Sequence, residues 1–208
     1  MPNWCGTDII FYSNNKEQLK TFYEKFDEIY NGKATIENGF GNGWLGDFVN
    51  TLIPEEYENI RCRGSVDFYE EIYHKTEDID YFRIYTQTAW APMLKMWRLI
   101  IEKYFPSVKI AYCAEECGMG IYDKYDESGL FLSEYYATIS AYDDDDGEYY
   151  SDYFDSKKEL VDYLNKTFGV DVGIEMSNEN MENIIKKNNC SISINIYEYA
   201  DTPTDIWD

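Results

Sequence analysis

The stretch IDYFRIYTQTAWAPMLKMWRLIIEKYFPSVKIAYCAEE, residues 79–116, decides the fold. Its first part alternates. Tyr81, Arg83 and Tyr85 fall on one side and Phe82 and Ile84 on the other, which predicts a half-buried strand over Ile79–Thr86. The apolar period then lengthens to that of a helix. Pro92 suits the first turn, and Met93, Leu94, Trp97, Ile100, Ile101 and Tyr104 form the buried stripe. Pro106 follows the end of this helix. Val108–Ala114 has so little polar character that it reads as a central strand.

Working outward, Trp4–Tyr12 is rich in β-formers and predicts a first strand. Asn14 with Glu17 resembles a capping box, and Leu19, Phe22, Tyr23, Phe26, Ile29 and Tyr30 make one apolar helical face, ended by Asn31-Gly32. A glycine-rich loop follows at Glu37–Gly43, then a short helix over Trp44–Leu52 stopped by Pro54, then a strand over Arg61–Tyr73. The order β-α-β-β-α-β is that of the split βαβ, or ferredoxin-like, arrangement. The expectation is an α+β fold, with two helices on one face of an antiparallel sheet.

Further strands are expected at Ile121–Tyr125 and Leu130–Tyr142, extending that sheet, and Tyr149–Phe154 is the expected return strand. Asp143-Asp144-Asp145-Asp146-Gly147 is the expected turn between the last two, with Asp146-Gly147 as its hairpin signal. Ser156 caps a helix over Lys157–Phe168, with Leu160, Val161 and Leu164 inward. A short helix follows at Asn178–Lys187, and Ile192, Ile194 and Ile196 mark a terminal strand over Ser191–Tyr199. The expected division is a ferredoxin-like core at 1–125 and an acidic, tyrosine-rich hairpin with a C-terminal helix and strand extension at 126–208, packed on the core.

The chain has 208 residues and a net charge of -22, from 40 Asp and Glu against 18 Lys and Arg, and it contains 21 tyrosines. Such a field repels phosphate, so nucleic acid and anionic membrane are poor direct partners, and basic protein surfaces are favoured. Tyrosine is enriched where proteins recognise one another. The start carries no basic segment followed by an apolar one. The most apolar helix is interrupted by Lys95, Arg98, Glu102 and Lys103. Cys5, Cys62, Cys113, Cys117 and Cys190 are odd in number and irregular in spacing, which argues against a disulfide framework. Together these features read as a cytoplasmic protein.

Two stretches carry a family resemblance. One is Met1-Pro2-Asn3-Trp4-Cys5 running into a strand. The other is Thr88-Ala89-Trp90-Ala91-Pro92, a helix, Tyr104-Phe105-Pro106, a strand and Glu115-Glu116-Cys117-Gly118-Met119-Gly120. The pairing resembles the YubB ferredoxin-like family, carried on bacterial plasmids and phages, over residues 1–125. The resemblance implies a ferredoxin-like sheet and a mobile-element origin. It implies neither an activity nor an iron–sulfur cluster.

The catalytic and cofactor signatures are weak. A calcium loop with Gly147 at its sixth position would run from Tyr142 to Tyr153, and neither terminus is a carboxylate. Cys113 and Cys117 lack the Cys-x-x-Cys turn of a zinc site. His74, the one histidine, has no cysteine at a telling spacing. Glu37–Gly43 lacks the Gly-Lys-Ser/Thr ending of a phosphate loop. Gly118-Met119-Gly120 reads as a turn or bulge. No catalytic residue, metal or organic cofactor is therefore expected.

The stretch from Glu115 to Asp162 holds 15 acids against Lys124, Lys157 and Lys158, a net of -12. Within it, Glu134, Tyr136, Tyr142, Asp143, Asp144, Asp145, Asp146, Glu148, Tyr149, Tyr150 and Asp152 are the candidate partner-binding residues. The expected function is that of a binding protein. It would engage a basic host protein, such as a nucleic-acid-binding defence protein, by presenting carboxylates in place of phosphates. The alternatives are a metal-dependent enzyme built on carboxylates and a self-assembling structural module.

Overall fold

Cys5, Thr7, Ile9 and Phe11 point to one side of the first strand and are buried, which is the period of two expected of a strand lying over helices. A computed structural model describes residues 3–33 and 41–207. The protein is a mixed α+β structure with five α-helices and two sheets among these residues. Glu37–Phe40 of the glycine-rich loop lie outside the described residues. So do Met1 and Pro2.

The chain divides into two units, residues 1–130 with 201–208, and residues 131–200. In the first, β1 (Trp4–Ser13) leads to α1 (Lys16–Tyr30) and α2 (Leu45–Leu52). Then come β2 (Gly64–Tyr69), β3 (Tyr73–His74) and β4 (Asp80–Ala89), followed by α3 (Leu94–Tyr104), β5 (Lys109–Glu116) and β6 (Ile121–Tyr125). In the second unit β7 (Ala137–Asp143), β8 (Tyr149–Phe154), α4 (Lys157–Phe168), α5 (Asn178–Asn188) and β9 (Ile192–Glu198) follow. β10 (Ala200–Asp201) lies where the chain re-enters the first unit.

The first sheet runs β10-β6-β5-β1-β4-β2, with β3 also paired to β4. The pairs β1–β4, β1–β5, β2–β4 and β5–β6 are all antiparallel. Ile9 stands opposite Ile84 and Tyr112, so one face continues across three strands. Leu19, Phe22 and Phe26 of α1, Phe48 of α2, and Trp97 and Ile100 of α3 close over it. The rings of Phe11, Phe26 and Phe48 lie 5.4, 5.9 and 5.2 Å from Trp97. Each such side chain contributes about 1.5–3 kcal/mol by leaving water.

Local departures from the sequence reading have physical causes. Asn15, not Asn14, caps α1, accepting from the Gln18 amide at 3.1 Å. The α3 stripe takes in Met96, which is fully buried, and releases Tyr104, whose hydroxyl donates to the Leu52 carbonyl at 2.7 Å. That helix begins at Leu94, so Pro92 and Met93 precede it. The Arg61–Tyr73 segment is broken by an irregularity between Val66 and Phe68 and shortens to β2 and β3. Gly118-Met119-Gly120 is the β5–β6 turn, where the Glu116 carboxylate accepts from the Gly118 and Met119 amides and Gly120 has φ +71.

The largest correction concerns the strands expected at Leu130–Tyr142 and Tyr149–Phe154. They do not extend the first sheet. The strand expected at Leu130–Tyr142 begins only at Ala137 and forms a separate sheet of order β8-β7-β9. Alternation fixes which side chains share a face, but not which strand will supply the partner. Ile139 and Ala141 of β7, Phe154 of β8, and Ile192, Ile194 and Ile196 of β9 pack with Leu160, Leu164 and Phe168 of α4 and Met181 and Ile185 of α5. Ser156 caps α4 as read from the sequence, and Gly169 ends it at φ +63.

Candidate functional site

The β7–β8 ladder sorts the second sheet into two faces. Ala137, Ile139 and Ala141 stand opposite Phe154, Asp152 and Tyr150, on the side packed by α4 and α5. Thr138, Ser140 and Tyr142 stand opposite Tyr153, Ser151 and Tyr149, on the other side. From β9, Tyr197, Asn195 and Ser193 join the second set through Thr138, Ser140 and Tyr142.

This helix-free face is aromatic and hydroxylated. Tyr142, Tyr149 and Tyr153 are 44%, 64% and 52% exposed. Ser151, Ser193 and Asn195 are also exposed. Ser140 Oγ lies 3.1 Å from the Tyr149 hydroxyl. Thr138, at the base, is buried, and its hydroxyl donates to the Asp152 carbonyl at 3.1 Å. Tyr136 stacks on Tyr153 with centroids 6.0 Å apart and meets Tyr199 edge-on at 4.9 Å.

The charges of the second unit are segregated. Its five cations, Lys157, Lys158, Lys166, Lys186 and Lys187, all lie on α4 and α5. The helix-free face holds none.

The acidic turn crowns this face. It falls at Asp143–Gly147 as read from the sequence and is longer than a two-residue Asp-Gly turn: Asp144–Gly147 all lie beyond the last pair, closed by Asp143 N donating to Glu148 O at 2.9 Å. Gly147 sits at φ +75, where a side chain would be strained. Two of the aspartates shape the turn. Asp143 Oδ1 accepts from the Asp145 amide and Asp146 Oδ1 from the Glu148 amide, each at 3.0 Å. Asp144, Asp145, Asp146 and Glu148 are exposed, and none of them forms an ion pair with a cation among the described residues.

The predicted residues thus fall into three groups. Tyr142, Asp143, Asp144, Asp145, Asp146, Glu148 and Tyr149 come together at the hairpin end. Tyr150 turns to the helix side, its ring 5.5 Å edge-on from Phe168. Its hydroxyl donates to Glu148 Oε2 at 2.8 Å, and that bond, with burial, pushes its pKa up to about 12. Asp152 also lies on the helix side, at the β8 edge. Glu134 and Tyr136 precede β7 at the opposite end, six residues or about 20 Å of strand from the turn. Tyr153, Ser151, Ser193 and Asn195 complete the face, although the sequence reading did not single them out as site residues.

Among the described residues no three His, Cys, Asp or Glu side chains are grouped to hold a metal ion, and no helix is long and apolar enough to cross a membrane. Comparison of the chain with protein-family models, with curated proteins and with solved structures returns no significant match.

Proposed function

We propose that this chain is a binding protein that holds a basic protein surface against the helix-free face and acidic turn of its second unit. The single observation that carries the reading is the composition of that face: three exposed tyrosines set among Ser and Asn, with every cation of the unit on the helices behind. Tyr, Ser and Asn are the residues of antibody combining sites, because Tyr brings flat contact area at small entropic cost and Ser and Asn adapt their hydrogen bonds. The turn adds carboxylates that would steer a cationic partner and impose salt dependence.

A nucleic-acid-binding protein is the partner class best suited to this reading. Its basic groove is built for phosphates, and Asp144, Asp145 and Glu148 offer comparable charges on a short turn. Occupation of that groove would inhibit the partner, and a defence nuclease is one such target. The resemblance of residues 1–125 to a mobile-element family is in keeping with that use.

We also read the first unit as a split βαβ, ferredoxin-like core. What supports this is the strand order β5-β1-β4-β2 with antiparallel neighbours, and the burial of α1 and α3 on the same face.

The test uses the full chain as bait in a bacterial lysate, beside a variant carrying Tyr142→Ala, Tyr149→Ala and Tyr153→Ala. The reading predicts that the wild type retains a basic protein, released by raised salt, which the variant does not retain. Identical retention by both would refute it.

A further inference from the structure

The start of β1, the end of β4 and the segment before β2 enclose a cavity of about 350 Å³ in the first unit, lined by Trp4, Trp44, Cys62, Arg63, Ser65 and Trp90 together with Gly64 and Ala89. The β1–β4 register makes it, setting Trp4 opposite Ala89, and the Trp90 amide then donates to the Asn3 carbonyl at 2.8 Å. Three of the chain's five tryptophans meet here. Trp4 and Trp90 are 53% and 41% exposed, whereas Trp44 is buried.

Trp90 is held at φ +70, the only positive φ outside glycine among the described residues. For a bulky side chain this is a strained conformation, of the kind that persists where the surroundings impose it and that gathers at binding sites. Here the Thr88 hydroxyl donates to the Ala91 carbonyl at 2.7 Å and fixes the corner, so that the indole stands at the rim of the cavity.

The electrostatics of the cavity are opposite to those of the chain. Among the described residues no acid lines it. Among the described residues its one charged group is the Arg63 guanidinium, 4.8 Å above the Trp90 ring, and no carboxylate pairs with it. Arg61, exposed two residues earlier, adds a second cation to the same segment. Burial pushes the Cys62 thiol up to about 11, so it stays protonated and is no nucleophile.

We propose that this cavity binds a flat aromatic ring bearing one anionic group, the ring lying among Trp4, Trp44 and Trp90 and the anion taken by Arg63. The volume lies at the small end of ligand pockets and suits one or two fused rings. A guanidinium already stacked on an indole presents its N–H fork in a set plane, which is the geometry that reads carboxylate or phosphate. Both anions share that chemistry, and the ring can belong to a free metabolite or to the end of a peptide.

The test follows the five indole N–H signals in the ¹⁵N spectrum of the full chain, assigned by single Trp→Phe variants. Three probes are compared. N-acetyl-L-tryptophan has ring and carboxylate, N-acetyl-L-tryptophanamide has the ring alone, and adenosine monophosphate has a ring and a phosphate. The carboxylate probe should shift Trp4, Trp44 and Trp90 and leave Trp97 and Trp207 unmoved. It should bind roughly tenfold more tightly than the amide, and Arg63→Gln should abolish that difference. Trp90→Gly, whose backbone accepts the left-handed conformation, should keep the fold and lose binding. If adenosine monophosphate moves the same three signals more tightly than the carboxylate probe, the anion is a phosphate. Equal binding of acid and amide, shifts at Trp97 and Trp207 as well, or no shift with any probe would overturn the proposal.

Discussion

Tyr142 stands directly opposite Tyr149 across the β7–β8 ladder, and both rings lie on the face that carries no helix. Neither contributes to the core beneath, which is built from Ile139, Ala141 and their neighbours. Flat aromatic area exposed beside unpaired carboxylates is the feature around which the functional account is built.

Replacing Tyr142 and Tyr149 by Ala should therefore leave folding stability within about 0.5 kcal/mol of wild type, as for surface changes away from structural features. Bound to its partner, the double variant should dissociate roughly tenfold faster or more, with a smaller change in association. Thermal unfolding and surface-immobilised kinetics measure the two effects separately.

Replacing Asp143, Asp144, Asp145 and Asp146 together by Asn should do the reverse. Asn keeps the Oδ1 acceptors that the Asp145 and Glu148 amides use, so the turn should survive and relief of like-charge repulsion should hold or raise stability. Association with the partner should slow, and its dependence on salt should flatten. Association rates over a salt series check this.

Much of the first unit was legible in the sequence. Tyr81 to Tyr85 alternate, and the strand is there. Leu94, Trp97, Ile100 and Ile101 recur at helical spacing, and they are the buried side of α3. Sheet membership was not legible. The strand ending at Tyr142 has a clear apolar side, but nothing in it says that β9, some fifty residues later, will be its neighbour. The acidic turn was visible as composition. The division of its tyrosines was not, because it depends on a register in which Tyr142 meets Tyr149 and Tyr150 falls behind. The cavity of Trp4, Trp44 and Trp90 was hidden altogether, since only the folded sheet brings those positions together.

Asp80 supplies a pH test of the first unit. It is buried at the start of β4, with His74 Nδ1 at 2.6 Å and Lys16 Nζ at 3.3 Å. Burial alone would raise its pKa, but the hydrogen bonds from His74 and Lys16 outweigh it and hold the carboxyl below its ordinary value. A group depressed on folding stabilises above its unfolded pKa, about 3.9 for Asp, and loses that contribution as pH falls through the folded value. Asp80→Asn should thus destabilise by about 1–3 kcal/mol at neutral pH. The gap to wild type should narrow below about pH 4. Denaturant unfolding of both proteins along a pH series reads this out.

Trp97 tests the core. It is fully buried among Phe11, Phe26 and Phe48, and its Nε1–H meets no acceptor among the described residues. Trp97→Ala should cost about 3–5 kcal/mol through the cavity it leaves. Trp97→Phe should cost distinctly less, because the loss of volume is smaller and an unpaired donor leaves the interior. Denaturant midpoints of the two variants decide the order.

One face of the second unit, and not the charge of the whole chain, is proposed to hold the partner. Two substitutions that change net charge equally separate these ideas. Ser151→Arg puts a cation on the helix-free face between Tyr149 and Tyr153, and Thr167→Arg puts one on α4 behind it; both positions are exposed. The measurement is the affinity of each variant for the partner retained by the wild type. The account predicts that Ser151→Arg loses the partner and that Thr167→Arg binds as the wild type does. Equal weakening by both, or undiminished binding by Ser151→Arg, would contradict it.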